Sequence, residues 1–281
     1  MTGATSGIGE VAALRLAERG ERIVMVSRDP ARAQATLAKL RRAGPQSAHA
    51  VYHADLSVIA EMKRVGSEIA AAEPRIDVLI NNAGAVFMGR TRTADGLSAT
   101  FATNHLAYYV LTLLLLRRLQ ATPGARVVCT SSRAHQYGHM NFDRLQRDGI
   151  AGYAQSKLAN LLFVRRLAQQ LAAGEGATAG NSCSVTVNAL HPGFVATRFA
   201  DNCGFGWRTL MRWRKATSAL SPEEGARTLI FLAQTSEVAG KSGGYYVRSQ
   251  LTECGARARS DGDAEQLWKV SAQLTGVDLP R

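Results

Sequence analysis

The chain has 281 residues, with 46% hydrophobic and 20% charged side chains. That balance excludes a disordered or fibrous protein and supplies a sizeable buried core. The 34 basic residues exceed the 22 acidic ones for a net charge of +12, but only six are lysines and none forms a long basic run. Scattered arginines read as a solvated surface rather than a nucleic-acid partner. No apolar stretch reaches the roughly 18 residues of a membrane span. The longest, Leu106–Leu116, reads as a buried helix. Cys129, Cys183, Cys203 and Cys254 form no CxxC pair and no zinc spacing, which fits a reduced, cytoplasmic protein.

The chain opens on a glycine-rich turn, Thr2-Gly3-Ala4-Thr5-Ser6-Gly7-Ile8-Gly9, followed by a helix over Glu10–Arg19. Strands and helices then alternate. Ile23–Ser27 is a strand and Pro30–Arg42 a helix; Ala48–Tyr52 is a strand and Val58–Ala72 a helix. A third strand, Ile76–Ile80, precedes a long helix over Gly96–Gln120. Arg126–Ser131 is a strand, and after a loop-rich stretch Tyr153–Ala173 is a helix. Val185–Leu190, a helix over Pro222–Ala233 and a short strand at Gly244–Val247 complete the series. This alternation predicts an α/β fold, a Rossmann-like doubly wound parallel sheet with helices on both faces, in a single domain over residues 1–281. Two segments interrupt it. Residues 174–182 (GEGATAGNS) read as a flexible surface loop. Asp201–Ala216 sets Phe205, Trp207, Leu210, Met211 and Trp213 among basic residues, as in a basic amphipathic helix.

Glycines at 3, 7 and 9 permit a tight turn and let backbone N–H groups approach a pyrophosphate at a helix N-terminus. An ordinary glycine turn has the same letters. Ser27-Arg28-Asp29 ends the next strand. An acidic residue there suits a ribose 2′-hydroxyl and Arg28 a 2′-phosphate, so Arg28 favours NADP(H) while Asp29 keeps NAD(H) open. Asp55-Leu56 follows the second strand, where a carboxylate accepts from an adenine amino group or caps a helix. Asn81-Asn82-Ala83-Gly84 ends the third, as a cofactor lying across a sheet requires, or forms a plain turn.

Tyr153 and Lys157 stand four residues apart on one helix face. An ammonium beside a phenol favours phenolate, lowering a pKa ordinarily about 10, and such a phenol is a competent general acid or base. A surface Tyr/Lys pair looks the same in isolation. The company of Ser131-Ser132, Asn104 and the glycine turn changes the reading.

In this order the motifs resemble the short-chain dehydrogenase/reductase family over nearly the whole chain. Stretches such as SSRAHQYG (131–138) and YAQSKLANLLF (153–163) are similar to its retinol-dehydrogenase-like branch. The resemblance implies an NADP(H)-dependent oxidoreductase interconverting an alcohol and its aldehyde or ketone. In it Tyr153 exchanges the proton, Ser132 hydrogen-bonds the substrate oxygen, and Lys157 holds the nicotinamide ribose. Asn104 binds a water that extends the proton relay. Gly3, Thr5, Ser6, Gly7, Ile8, Gly9, Arg28, Asp55, Leu56, Asn82, Ala83, Gly84, Pro192, Gly193 and Thr197 join Tyr153 and Lys157 in binding the cofactor. Phe194, Phe199, Phe205 and Trp207 imply an apolar substrate. The family also implies a homo-oligomer and places a variable substrate lid at 200–220; a membrane-surface helix is the second reading of that segment. The alternative in another class is a non-catalytic dinucleotide-binding sensor or scaffold. His135 and His139 have metal-like spacing without a third ligand, so no metal is expected, and His191 reads as structural.

One departure stands out. Family members carry a full central strand before the glycine turn, and here only Met1-Thr2 precedes it. The expectation is that Met1 is internal to a longer protein. The chain as written should then be unstable or bind cofactor poorly, because two neighbouring strands lack a partner. The branch often carries a membrane anchor upstream.

Overall fold

The computed structural model describes residues 1–145, 147–174, 185–193, 195 and 220–279. Glycine-free apolar runs form most of the strands, and Asp29 after the first of them takes over as a helix cap. Helix α1 spans Gly7–Glu18, β1 Val24–Ser27, α2 Pro30–Ala43, β2 Ala50–His53, α3 Ile59–Ala72 and β3 Val78–Asn81. The long helical run α4 covers Ala99–Gln120, followed by β4 at Arg126–Thr130, α5 at Gly149–Ala172 and β5 at Thr186–His191. The chain closes with α6 (Pro222–Gln234), β6 (Tyr245–Val247), β7 (Gln250–Leu251) and α7 (Asp261–Thr275). Caps fix the boundaries: Asp29 accepts from Arg32 N–H ahead of Pro30 in α2, and Ser221 and Glu224 form a reciprocal capping box on α6.

Strands β3, β4, β5 and β6 pair in parallel in that order, with β7 antiparallel at the edge, while β1 and β2 form a parallel pair of their own. Met1 and Thr2 lie between the two groups. Val26 N–H donates to Met1 O at 3.0 Å and Thr2 N–H to Ile80 O at 2.9 Å, and Thr2 bridges Val26 in parallel. The place expected to lack a strand is thus held by two residues that bond both neighbours.

Alternation along the strands divides the core in two. Leu79, Val127, Cys129, Val187, Ala189 and Tyr245 face α3, α4, α5 and α7. Ile80, Val128, Leu190 and Tyr246 face α1, α2 and α6. By length and composition α4 qualifies as a membrane span, yet 89% of its apolar window is buried inside the fold, as expected for a core helix.

The structure departs from the sequence reading at several elements, beginning with α1, which starts at Gly7 rather than Glu10. Helix α4 starts at Ala99 rather than Gly96, because Gly96 turns with φ +74° and Arg92 bridges Ser98. Helix α5 starts one turn before Tyr153, through Gly149 and Gly152, where glycines hide helical periodicity. Strand β7 and helix α7 were not anticipated. Residues 175–182 of the expected loop, 200–219 of the expected lid, and Thr197, Phe194, Phe199, Phe205, Trp207, Cys183 and Cys203 lie outside the described residues.

Candidate active site

The glycine turn is a close-packed object. Gly3 and Gly7 have φ of +68° and +56°, a region side-chain-bearing residues rarely adopt. A Cβ on Gly9 would lie 2.0 Å from Gly3 O. Asn82 locks the turn to the end of β3: its Nδ2 donates to Gly3 O at 3.2 Å and its Oδ1 accepts from Thr130 Oγ1 at 3.1 Å. Thr2 Oγ1 accepts from both Asn82 and Ala83 N–H, each at 3.0 Å. Ser6 starts α1 without a side-chain cap, so the helix offers its first N–H groups to an anion. The fit to a dinucleotide pyrophosphate rests on this cradle, which any Cβ at 3 or 9 would fill.

At the end of β1, Asp29 is committed to α2, capping it and pairing with Arg32 at 3.2 Å. Arg28 is 71% exposed, its guanidinium 3.6 Å from Asp55. Asp55 Oδ1 accepts from the backbone and hydroxyl of Ser57 at 2.9 and 2.8 Å in a local turn and does not cap α3, whose N-cap is Val58 and whose Ile59 N–H donates to Asp95 instead. Leu56 beside it is buried.

The two serines after β4 divide. Ser131 is buried and its hydroxyl donates to Lys157 O at 2.8 Å, tying strand to helix. Ser132 Oγ accepts from Ala134 N–H at 3.2 Å, and the hydroxyl is near enough to the Tyr153 phenol to pull its pKa down. Lys157 Nζ donates to Thr130 O at 3.0 Å and lies 5.7 Å from the Tyr153 ring centroid and 5.8 Å from that of Tyr108. A Cβ on Gly84 would sit 3.4 Å from Lys157 Nζ and 3.3 Å from Asn104 Oδ1, so a glycine there keeps the approach to both open.

Asn104 occupies a π-helical segment, Ala102–Leu106, inside α4, a distortion that often marks functional positions. Its Oδ1 accepts from Ala85 N–H at 2.8 Å, and its Nδ2 donates to Ala85 O and Ser156 Oγ at 3.0 Å each. The side chain is therefore fully used in fastening the loop after β3 to α5.

Burial sets the titration of this pair. It pushes the Tyr153 phenol up to about 12, with the Ser132 hydrogen bond pulling the other way. It pushes the Lys157 ammonium down to about 8, with Cys129 opposing. The expected lowering of the phenol by Lys157 does not emerge; desolvation outweighs it.

Pro192 and Gly193 follow β5, Gly193 with φ +90°, where a Cβ would lie 2.4 Å from Leu220 Cδ1. Tyr108, four residues after Asn104, was overlooked in the sequence although its spacing puts it on the same helix face. It is fully buried, and its hydroxyl donates to Ala83 O at 2.8 Å. Ser156 and Thr2 were overlooked for the same reason: each acts through a partner far away in sequence. Among the described residues no cluster of metal-ligating side chains occurs.

Comparison with known proteins agrees with this geometry. The family profile described as short chain dehydrogenase matches residues 1–204. The chain is 36% identical to mouse retinol dehydrogenase 14, across 99% of its own length and 85% of that protein's. It is 35% identical to human retinol dehydrogenase 13, across 100% and 85%. Among solved structures it resembles an uncharacterised protein from Mycobacterium paratuberculosis at TM-score 0.76 and 31% identity, covering 100% of this chain and 93% of that one. It also resembles a short chain dehydrogenase from Burkholderia cenocepacia, solved in complex with NADP, at TM-score 0.67 and 26% identity, covering 92% and 96%.

Proposed function

From the premise that this chain belongs to the short-chain dehydrogenase/reductase family, and is an alcohol/carbonyl oxidoreductase, we propose that it uses NADP(H) to interconvert an apolar alcohol and its aldehyde or ketone. Tyr153 is the group that exchanges the proton. The observation that carries this reading is that Lys157, 5.7 Å from the Tyr153 ring and bonded to Thr130 two residues before Ser132, is tied through Thr130 and Asn82 to the glycine cradle at the C-terminal edge of the sheet.

The bound nicotinamide supplies or takes up the hydride. The protein's own share is orientation and proton handling. In the direction of reduction, the Tyr153 hydroxyl donates its proton to the carbonyl oxygen while the Ser132 hydroxyl donates a hydrogen bond to the same atom. With its pKa near 12, Tyr153 holds that proton at neutral pH. The Lys157 ammonium, shielded by two aromatic rings, offsets the charge left on the phenolate. Preference for the phosphorylated dinucleotide follows from Arg28, whose guanidinium pairs with phosphate in bidentate fashion, while Asp29 is occupied by α2. The apolar substrate is supported by the retinol dehydrogenases among its relatives.

The test is a nicotinamide absorbance assay with NADPH and NADH separately, against aldehydes, ketones and retinoids. Turnover is expected to favour NADPH. In Tyr153→Phe it should fall by roughly 100- to 10,000-fold, the usual contribution of a positioned acid or base, with NADPH binding retained. Undiminished turnover in that variant removes Tyr153 from the mechanism.

A further inference from the structure

His135 sits three residues beyond Ser132, in the 3-10 turn Arg133–Tyr137. It is 1% exposed, and its two ring nitrogens face different parts of the molecule. Nδ1 lies 2.6 Å from Ser132 O, which also accepts from the His135 backbone N–H at 3.0 Å. Nε2 lies 3.0 Å from the Gly255 backbone nitrogen, 120 residues away in the C-terminal segment. The ring edge meets Tyr245 at 5.2 Å between centroids.

These contacts fix the tautomer. A carbonyl oxygen only accepts, so Nδ1 carries the hydrogen and donates to Ser132 O. A backbone N–H only donates, so Nε2 is bare and accepts from Gly255. The imidazole is a neutral, two-ended strut. One end holds the backbone of the serine whose hydroxyl meets Tyr153, and the other holds the segment leading into α7. Arg257, in the same segment, donates to Gly138 O at 3.3 Å, so segment and turn are docked along their length.

We propose that His135 is a positioning residue for Ser132. Its Nδ1–H fixes the Ser132 backbone, and hence where the Ser132 hydroxyl meets the substrate oxygen, while Nε2 anchors the C-terminal segment. This rests on the proposed role of Ser132. Catalytic hydrogen bonds tolerate little displacement: a misplacement of about 1 Å can cost on the order of 100-fold in rate. A buried histidine kept only for packing would show no distinction between its two nitrogens.

Two substitutions separate the ends. Asparagine places an amide near Nδ1 and can restore the donor to Ser132 O, but it does not reach Gly255. Glutamine places its amide near Nε2 and can accept from Gly255, but it leaves Ser132 O with the backbone N–H of residue 135 as donor and no side-chain one. Per NADPH-binding site, counted by fluorescence titration, His135→Ala and His135→Gln should lower kcat about tenfold or more. KM for NADPH should stay within about twofold in both, and His135→Asn should recover most of the loss. Hydrogen exchange at the Gly255 amide should show the opposite pattern, accelerated in His135→Asn and His135→Ala but protected in His135→Gln. Equal kcat in the two amide variants, or a kcat that follows Gly255 protection, reduces His135 to a structural tether and overturns the proposal. Ser132→Ala is the control for the underlying reading. If it turns over like the unmodified enzyme, the role of Ser132 falls and the positioning role with it. If it is impaired while both amide variants are not, only the positioning role falls.

Discussion

The two ends of the cleft are built by opposite means. Around β1 and β2 the site is made of backbone: glycines at positive φ, the N-terminus of α1, and the two residues Met1 and Thr2 that link β1 to β3. Around β4 and α5 it is made of buried polar side chains, with Ser131, Asn104, Ser156 and Lys157 each hydrogen-bonded to a named partner. The first construction works by leaving atoms out, so it is damaged by adding one. The second works by pairing atoms, so it is damaged by removing one.

The largest expected effect on cofactor binding comes from adding an atom. In Gly9→Ala the new Cβ would lie 2.0 Å from Gly3 O and 2.5 Å from Asn82 Nδ2, so the turn must move. NADPH affinity should fall by about 100-fold or more, equivalent to roughly 3 kcal/mol, as measured by fluorescence titration. The effect should be on binding, the reverse of Tyr153→Phe. Wild-type NADPH affinity in Gly9→Ala would erase the distinction between the two ends.

Which parts were legible in sequence follows from the same contrast. Glycines that cannot carry a side chain, and a Tyr and Lys one helical turn apart, are local signals. Family resemblance named Ser132 of the serine pair; the structure supplies a physical reason, since the Ser131 hydroxyl is spent on Lys157 O. Contacts across long separations left no trace. The Ser271 hydroxyl meets His105 at 166 residues' distance, and nothing in the letters around His135 points to Gly255. The direction of the Tyr153 shift was also illegible. It depends on how completely the fold dehydrates the phenol, which spacing does not report. Helix α7 escaped notice because its apolar positions find their partners on α4 and α5 rather than on neighbours in sequence.

That helix gives the largest expected effect on stability, and it sharpens the comparison because its aromatic residue packs on the side-chain-built end. Trp268 is 6% exposed. It stacks on Phe163 with centroids 6.0 Å apart at 13°, and meets Tyr109 edge-on at 5.0 Å. Its indole N–H donates to Asp278 at 2.9 Å. Trp268→Ala should cost about 3–5 kcal/mol in denaturant unfolding. NADPH affinity, measured below the transition, should not change, since no atom of the glycine cradle rests on α7.

The smallest effect is one of pH, and its test isolates one histidine of the side-chain-built end. Buried His49, beside β1 and β2, uses both ring nitrogens: Nδ1 accepts from Ile23 N–H at 3.1 Å and Nε2 lies 3.1 Å from Gly44 O. His191, at the end of β5, is 7% exposed, and its Nδ1 has no partner among the described residues. Burial first, then the charge of Arg133 and proximity to His135, lower its pKa from 6.5 to about 4. The unfolded chain therefore binds a proton across an interval in which the folded one does not. Stability is whole above pH 6.5 and drains away as the pH falls toward 4, by up to about 3 kcal/mol over the full interval. Urea midpoints measured between pH 7 and 4.5 should fall in the unmodified protein and fall distinctly less in His191→Gln, which has no proton to take up. Parallel declines in the two proteins would mean that the acid sensitivity lies with other groups whose pKa burial lowers: the Met1 amine at the backbone-built end, or His105 and His135 at the other.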